Sequence, residues 1–125
     1  MTRRIRILLA EDDDVLREVL QEGLEADGFD VVAAPDGAKA LDMFRSGGPY
    51  DVLLLDEEMP GLTGRQLLGK LREQGVGVTA LLISGNLELS REERTALGVG
   101  PVLRKPIALD DLTRELRRVI GVPRP

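Results

Sequence analysis

The chain has no cysteine and no histidine. Without cysteine there is no disulfide framework and no thiolate metal site. Without histidine the usual general base and the commonest transition-metal ligand are missing. Imidazole-based triads, zinc hydrolases and histidine phosphocarriers are thereby excluded. Aromatic rings are scarce, with only Phe29, Phe44 and Tyr50, too few for a base-stacking platform. An excess of basic charge is also missing: 17 Lys and Arg stand against 22 Asp and Glu, a net charge of −5. That balance argues against general nucleic-acid binding. No apolar run approaches the roughly 20 residues of a membrane span. The opening MTRRIRILLAEDD has a short apolar run that ends in acids, unlike a secretory signal. The expectation is a cytoplasmic protein that binds neither membrane nor nucleic acid directly. What remains is the chemistry of carboxylates, hydroxyls, amides and lysine.

A chain of 125 residues is expected to form one domain with a core of its own. Short apolar runs alternate with amphipathic stretches. IRILLA (5–10) has almost no polar face, as a central parallel strand covered on both sides requires. Further strands are expected at 29–34, 51–55, 78–84 and 101–105. Between them, Val15, Leu16, Val19, Leu20 and Leu24 share a helical stripe, as do Ala40, Leu41 and Phe44 behind an Asp36 cap. Leu67, Leu68 and Leu71 mark a helix over 63–73. Ser90 and Glu93 form a capping-box pattern for a short helix over 91–97. Leu112, Leu116, Val119 and Ile120 mark a last helix from Leu109, with Asp110 and Asp111 at its positive end. Five such strand–helix units predict an α/β doubly wound sheet with helices on both faces. The domain is expected over 1–121, with 122–125 as a short tail.

In open sheets of this kind the working pocket lies beyond the carboxyl ends of the strands. The first strand ends in Glu11-Asp12-Asp13, the third in Asp56-Glu57-Glu58, the fourth in Ser84-Gly85-Asn86 and the fifth in Lys105-Pro106. Each piece alone has a plain reading as a turn or a cap. Together they put acids, a hydroxyl and an ammonium at one edge. Clustered carboxylates need a counter-charge, and Mg²⁺, which takes oxygen ligands alongside phosphate, supplies one. Lysine and serine both suit a phosphoryl group. Asp13 reads as a helix N-cap, Glu57 as a solvated turn residue.

Four segments, ILLAEDD (7–13), LLLDEEMPGLTG (53–64), LLISG (81–85) and VLRKPI (102–107), make the chain resemble the receiver domains of bacterial two-component response regulators. The resemblance covers essentially the whole length. It implies a flavodoxin-like five-stranded sheet in the order 2-1-3-4-5. It implies that Asp56 is a phosphoacceptor, loaded by a sensor histidine kinase or a phosphotransfer protein. Glu11 and Asp12 match the family's acidic pair, with Asp12 on Mg²⁺ (or Mn²⁺ in its place) and Glu11 acting largely through water. Asp56 and the backbone carbonyl of Glu58 match further metal ligands. Ser84 and Lys105 match the residues that hold phosphoryl oxygens, and Pro106 matches a proline that is commonly cis. Gly61 and Gly64 fit the turn and helix entry after the acceptor. Side chains at Glu58 and Asn86 match positions that modulate phosphoryl lifetime.

Two places depart from the pattern. The position three residues before the lysine is usually Tyr or Phe and here is Val102, which has no ring to reorient; its ordinary role is a core residue of the fifth strand. The segment 86–100 is short and polar where most receivers build a dimer or output surface. Nearby, Arg104, Arg114, Arg117 and Arg118 form either a basic patch or a solvated helix face. The functions implied are a phosphorylation switch acting on a downstream protein, a binding module independent of phosphorylation, or a small Mg²⁺-dependent phosphatase. The first fits the intact acids, serine and lysine, and it is not a turnover enzyme. Oligomeric state is left open, a homodimer included.

Overall fold

The computed structural model describes residues 4–121; the expected tail at 122–125 lies outside the described residues. Elements alternate strictly: β1 (Arg6–Ala10), α1 (Asp14–Ala26), β2 (Asp30–Ala34), α2 (Gly37–Gly47), β3 (Val52–Asp56), α3 (Gly64–Glu73), β4 (Thr79–Ser84), α4 (Arg91–Leu97), β5 (Leu103–Arg104) and α5 (Leu109–Ile120). The strands are parallel and ordered β2-β1-β3-β4-β5. This is the order implied by the resemblance.

Strand residues of alternating parity feed two cores. Leu8, Ala10, Leu53, Leu55 and Leu82 pack with α2 and α3, whereas Ile7, Leu9, Leu54, Leu81 and Ile83 pack with α1 and α5. Leu53, Leu54 and Leu55 are all fully buried, which is why β3 reads as a continuous apolar run. Each such leucine contributes about 2 kcal/mol by leaving water.

Three caps fall where the sequence puts them, at Asp13, Asp36 and Ser90; Thr63, expected inside its helix, is a fourth. Asp13, Asp36, Thr63 and Ser90 each accept a backbone N–H of the helix they precede, and Thr63 and Ser90 complete capping boxes with Gln66 and Glu93. Gly98 closes α4 at φ 69°, a left-handed conformation that glycine adopts without a Cβ penalty.

Three expectations need correction. Val15 and Val19 are 73% and 55% exposed, off the buried stripe; Leu16, Leu20 and Leu24 take it at four-residue spacing, and a residue one place earlier lies about 100° round the helix. β5 is only two residues long, not 101–105. It is an edge strand bounded by Pro101 and Pro106, neither of which has an N–H to give the ladder. Val102 consequently precedes β5, although it still packs against the α2–α3 core.

Candidate functional site

Register decides which strand ends meet. Ala10 pairs with Leu55, Asp56 with Ile83, and Ser84 with Arg104. One residue further along, Glu11 faces Asp56, while Ser84 and Lys105 stand on the other side. Glu11 and Asp56 are each only 2% exposed, whereas Asp12 lies in solvent at the mouth. Carboxylate oxygens of Glu11, Asp12 and Asp56 all fall within 4.8 Å of one another.

Lys105 supplies the counter-charge. Its Nζ lies 2.9 Å from Asp56 Oδ1 and 3.4 Å from Glu11 Oε1. Burial works against the ammonium, but the bond and charge of Asp56, reinforced by Glu11, outweigh it and raise its pKa. Burial is also the main reason the Glu11 carboxyl rises to about 7; the Asp13 N–H opposes it, the Asp56 charge adds to it, and Lys105 opposes it. Glu11 is held further by the Asp13 N–H at 3.1 Å on Oε2, and its carbonyl accepts from Arg17 at 3.0 Å.

The two oxygens of Asp56 differ. Oδ1 accepts from Lys105 and, at 3.4 Å, from the Glu58 N–H. Oδ2 is buried with no hydrogen-bond partner, a costly state for a carboxylate oxygen. An orphaned oxygen inside an all-oxygen cluster fits a hard divalent cation such as Mg²⁺.

Across the site, Ser84 is fully buried. Its Oγ donates to Glu58 Oε2 at 2.5 Å and accepts from Asn86 N at 3.1 Å and Leu87 N at 2.8 Å. Glu58 Oε1 accepts from Gly85 N at 2.6 Å. Thus the Glu58 side chain is tied to β4. Asn86 lies beside Ser84, and the Lys105–Pro106 peptide is cis. Gly64 lets α3 start against the end of β3, since a Cβ there would stand 2.7 Å from the Asp56 carbonyl oxygen. Gly61 takes φ 77° in the intervening turn.

A family model described as the response regulator receiver domain matches residues 7–117. The chain belongs to this family. It is 36% identical over 124 residues to the response regulator MprA of Mycobacterium bovis, covering 97% of this chain and 53% of the relative. It is 41% identical over 88 residues to the transcriptional regulatory protein CseB of Streptomyces avermitilis, covering 70% of this chain and 37% of the relative. The chain therefore spans about half the length or less of these curated relatives. Among solved structures, the receiver domain of the Francisella response regulator 1452 superposes with a TM-score of 0.83 at 28% identity, over 94% of this chain and 98% of that one. TrrA of Thermotoga maritima, solved in complex with Mg²⁺–BeF, gives 0.80 at 29% identity, over 92% and 98%.

Within the receiver domain, the expectation for Glu57 fails. Its carboxylate is not solvated: the residue is 9% exposed, and Oε1 accepts the Arg65 N–H at 2.7 Å while Oε2 lies 3.8 Å from Arg65 Nε. Glu57 caps the positive end of α3 from outside the helix, a role that spacing alone cannot reveal. The basic patch does not form either. Arg104, Arg114, Arg117 and Arg118 are each matched by an acid: Glu88, Asp111, Asp27 and Glu115. Val102, where most receivers carry a ring, lines an open groove of about 290 Å³ with Leu87, Leu89, Arg94 and Arg104. Nothing in the local pattern singles out Arg72. Its guanidinium donates to the carbonyls of Leu97, Val76 and Val78 at 2.7–2.8 Å, and burial lowers its pKa. Among the described residues no helix is long and apolar enough to cross a membrane.

Proposed function

We propose that this receiver domain accepts a phosphoryl group on Asp56 from the phosphohistidine of a sensor histidine kinase or a phosphotransfer protein. The observation that carries this reading is the asymmetry of the Asp56 carboxylate, with Oδ1 held by Lys105 and Oδ2 buried without a partner. A carboxylate oxygen of Asp56 attacks phosphorus, forming a P–O bond. The P–N bond to the donor breaks, and its electron pair stays on the imidazole nitrogen. Lys105 holds the carboxylate oriented and offers positive charge to the phosphoryl oxygens as they arrive. Water later attacks phosphorus, the bond from phosphorus to the Asp56 oxygen breaks with its electron pair left on that oxygen, and inorganic phosphate departs, restoring the carboxylate. Both steps act on the domain itself, so it is not a turnover enzyme on outside substrates.

Glu11, Asp12, Asp56 and the backbone carbonyl of Glu58 are the groups that would hold Mg²⁺, with Mn²⁺ as a substitute. When bound, the ion neutralises the acidic cluster and the phosphoryl charge. The Mg²⁺–BeF complex of the Thermotoga relative supports this assignment. Ser84 and Lys105 follow the phosphoryl group, so the β4 and β5 ends bias a two-state surface read by a downstream protein.

Mass spectrometry tests the reading. With Mg²⁺ and a small acyl-phosphate donor, the chain should gain one phosphoryl mass, and Asp56→Asn should not. If neither donor nor beryllofluoride modifies the wild-type chain, a phosphorylation-independent binding module becomes the better account.

A further inference from the structure

The proposed phosphoryl site already contains an anion of the chain's own. Both oxygens of the Glu58 carboxylate are bound, one by Ser84 Oγ–H at 2.5 Å and the other by the Gly85 N–H at 2.6 Å. A hydroxyl has one proton to give. The Ser84 proton goes to Glu58, and its lone pairs take the Asn86 and Leu87 N–H groups. A second contact, to Asn86 Oδ1 at 3.5 Å, is too long to compete. Ser84 therefore has nothing left to donate to a newcomer. The two donors held by Glu58 start one residue past Ile83, the β4 partner of Asp56, and the Glu58 N–H itself reaches Asp56 Oδ1. Ser84 is fully buried, while Glu58 is exposed at the surface.

We propose that Glu58 is an autoinhibitory latch, whose carboxylate occupies the Ser84 and Gly85 donors as a stand-in for phosphoryl oxygens until an incoming phosphoryl group displaces it. The inference rests on the phosphoacceptor role of Asp56. Loading Asp56 then exchanges one anion for another at the same two donors. The latch slows entry and, once released, lets Ser84 turn to the phosphoryl group. It also gives the acidic side chain an effect of definite sign: uptake is slower with Glu58 in place than without it.

The test compares the wild-type chain with Glu58→Gln, Glu58→Ala and Glu58→Asp, measuring the rate of Asp56-dependent phosphoryl gain from acetyl phosphate and the affinity for beryllofluoride, both with Mg²⁺. The Gly85 amide resonance is followed in ¹⁵N-labelled protein. Glu58→Asp keeps the charge but is one methylene shorter and cannot span both donors. Loss of a bond to a charged acceptor predicts about tenfold faster uptake and tighter beryllofluoride binding in Gln, Ala and Asp variants. The Gly85 amide should shift in each. Equal or slower uptake in the Gln and Ala variants, with a wild-type chain that does phosphorylate, overturns the latch and leaves the phosphoacceptor reading intact. Fast Gln and Ala variants beside a wild-type-like Asp variant reduce the effect to charge and overturn the contact. Phosphorylation of the variants, beside a wild type that binds beryllofluoride but gains no phosphoryl group, supports both proposals. Absence of uptake in every chain overturns both.

Discussion

Lys105 Nζ stands 2.9 Å from Asp56 Oδ1, and the same ammonium is 3.4 Å from Glu11. One partly exposed cation thus balances two carboxylates that are almost completely buried. Removing it leaves two buried carboxyl groups side by side without their cation. Lys105→Ala should cost about 2 kcal/mol in the metal-free protein, less than a fully buried pair because the ammonium is partly solvated. Mg²⁺ should recover more stability in this variant than in the wild type, since it provides the missing positive charge. Urea denaturation with and without Mg²⁺ checks both points. An unchanged midpoint without the metal would mean that Lys105 does not balance the pair.

Glu57 binds the first turn of α3 through the Arg65 N–H. Glu57→Ala should lower stability by about 1 kcal/mol, the usual cost of a lost N-terminal cap. Glu57→Gln, which keeps an acceptor oxygen but loses the charge, should recover part of it. Chemical denaturation distinguishes this from a solvated residue, whose replacement would cost nothing measurable.

Arg72 joins three carbonyls at 2.7–2.8 Å, at the end of α4, after α3 and ahead of β4. Arg72→Met keeps much of the aliphatic packing and removes all three bonds. We expect a loss of about 2 kcal/mol, with amides of 91–97 exchanging before the rest of the domain. Arg72→Lys should resemble Arg72→Met, because a single ammonium lacks the planar fork. Uniform exchange across the domain would argue against this anchoring role.

Acid should loosen α4 first at its start. The Glu93 carboxyl is held below its ordinary value, chiefly because it accepts the Ser90 N–H. A depressed folded-state pKa gives stability that is complete above the ordinary value and is lost as pH falls through the folded one. Carbon chemical shifts of Ser90 and Glu93 between about pH 6 and pH 3 should report unwinding of the first turn, centred below the carboxylate range of an unfolded chain. In Glu93→Gln the same turn should be insensitive to pH over that range.

Element types, caps and the edge that carries the site were legible in the sequence because they depend on local spacing. Apolar runs without a polar face mark strands covered on both sides, and a Ser, Thr or Asp before a helical stripe marks its start. Tertiary structure was needed for everything that depends on a partner far along the chain. Glu57 and Glu58 are adjacent identical residues, yet one caps α3 and the other crosses to Ser84 and Gly85. Val15 and Leu16 are both apolar and adjacent, yet α5 and the sheet leave room on the helix face for only one of them. Arg72 looks like any charge on a helix until the carbonyls of Val76, Val78 and Leu97 surround it. The sequence by itself determined the doubly wound sheet and the meeting of Glu11, Asp56, Ser84 and Lys105 at its edge. Only the tertiary structure decided which hydrogen bonds those groups make, because a polar side chain takes its role from the donors and acceptors packing brings within about 3 Å.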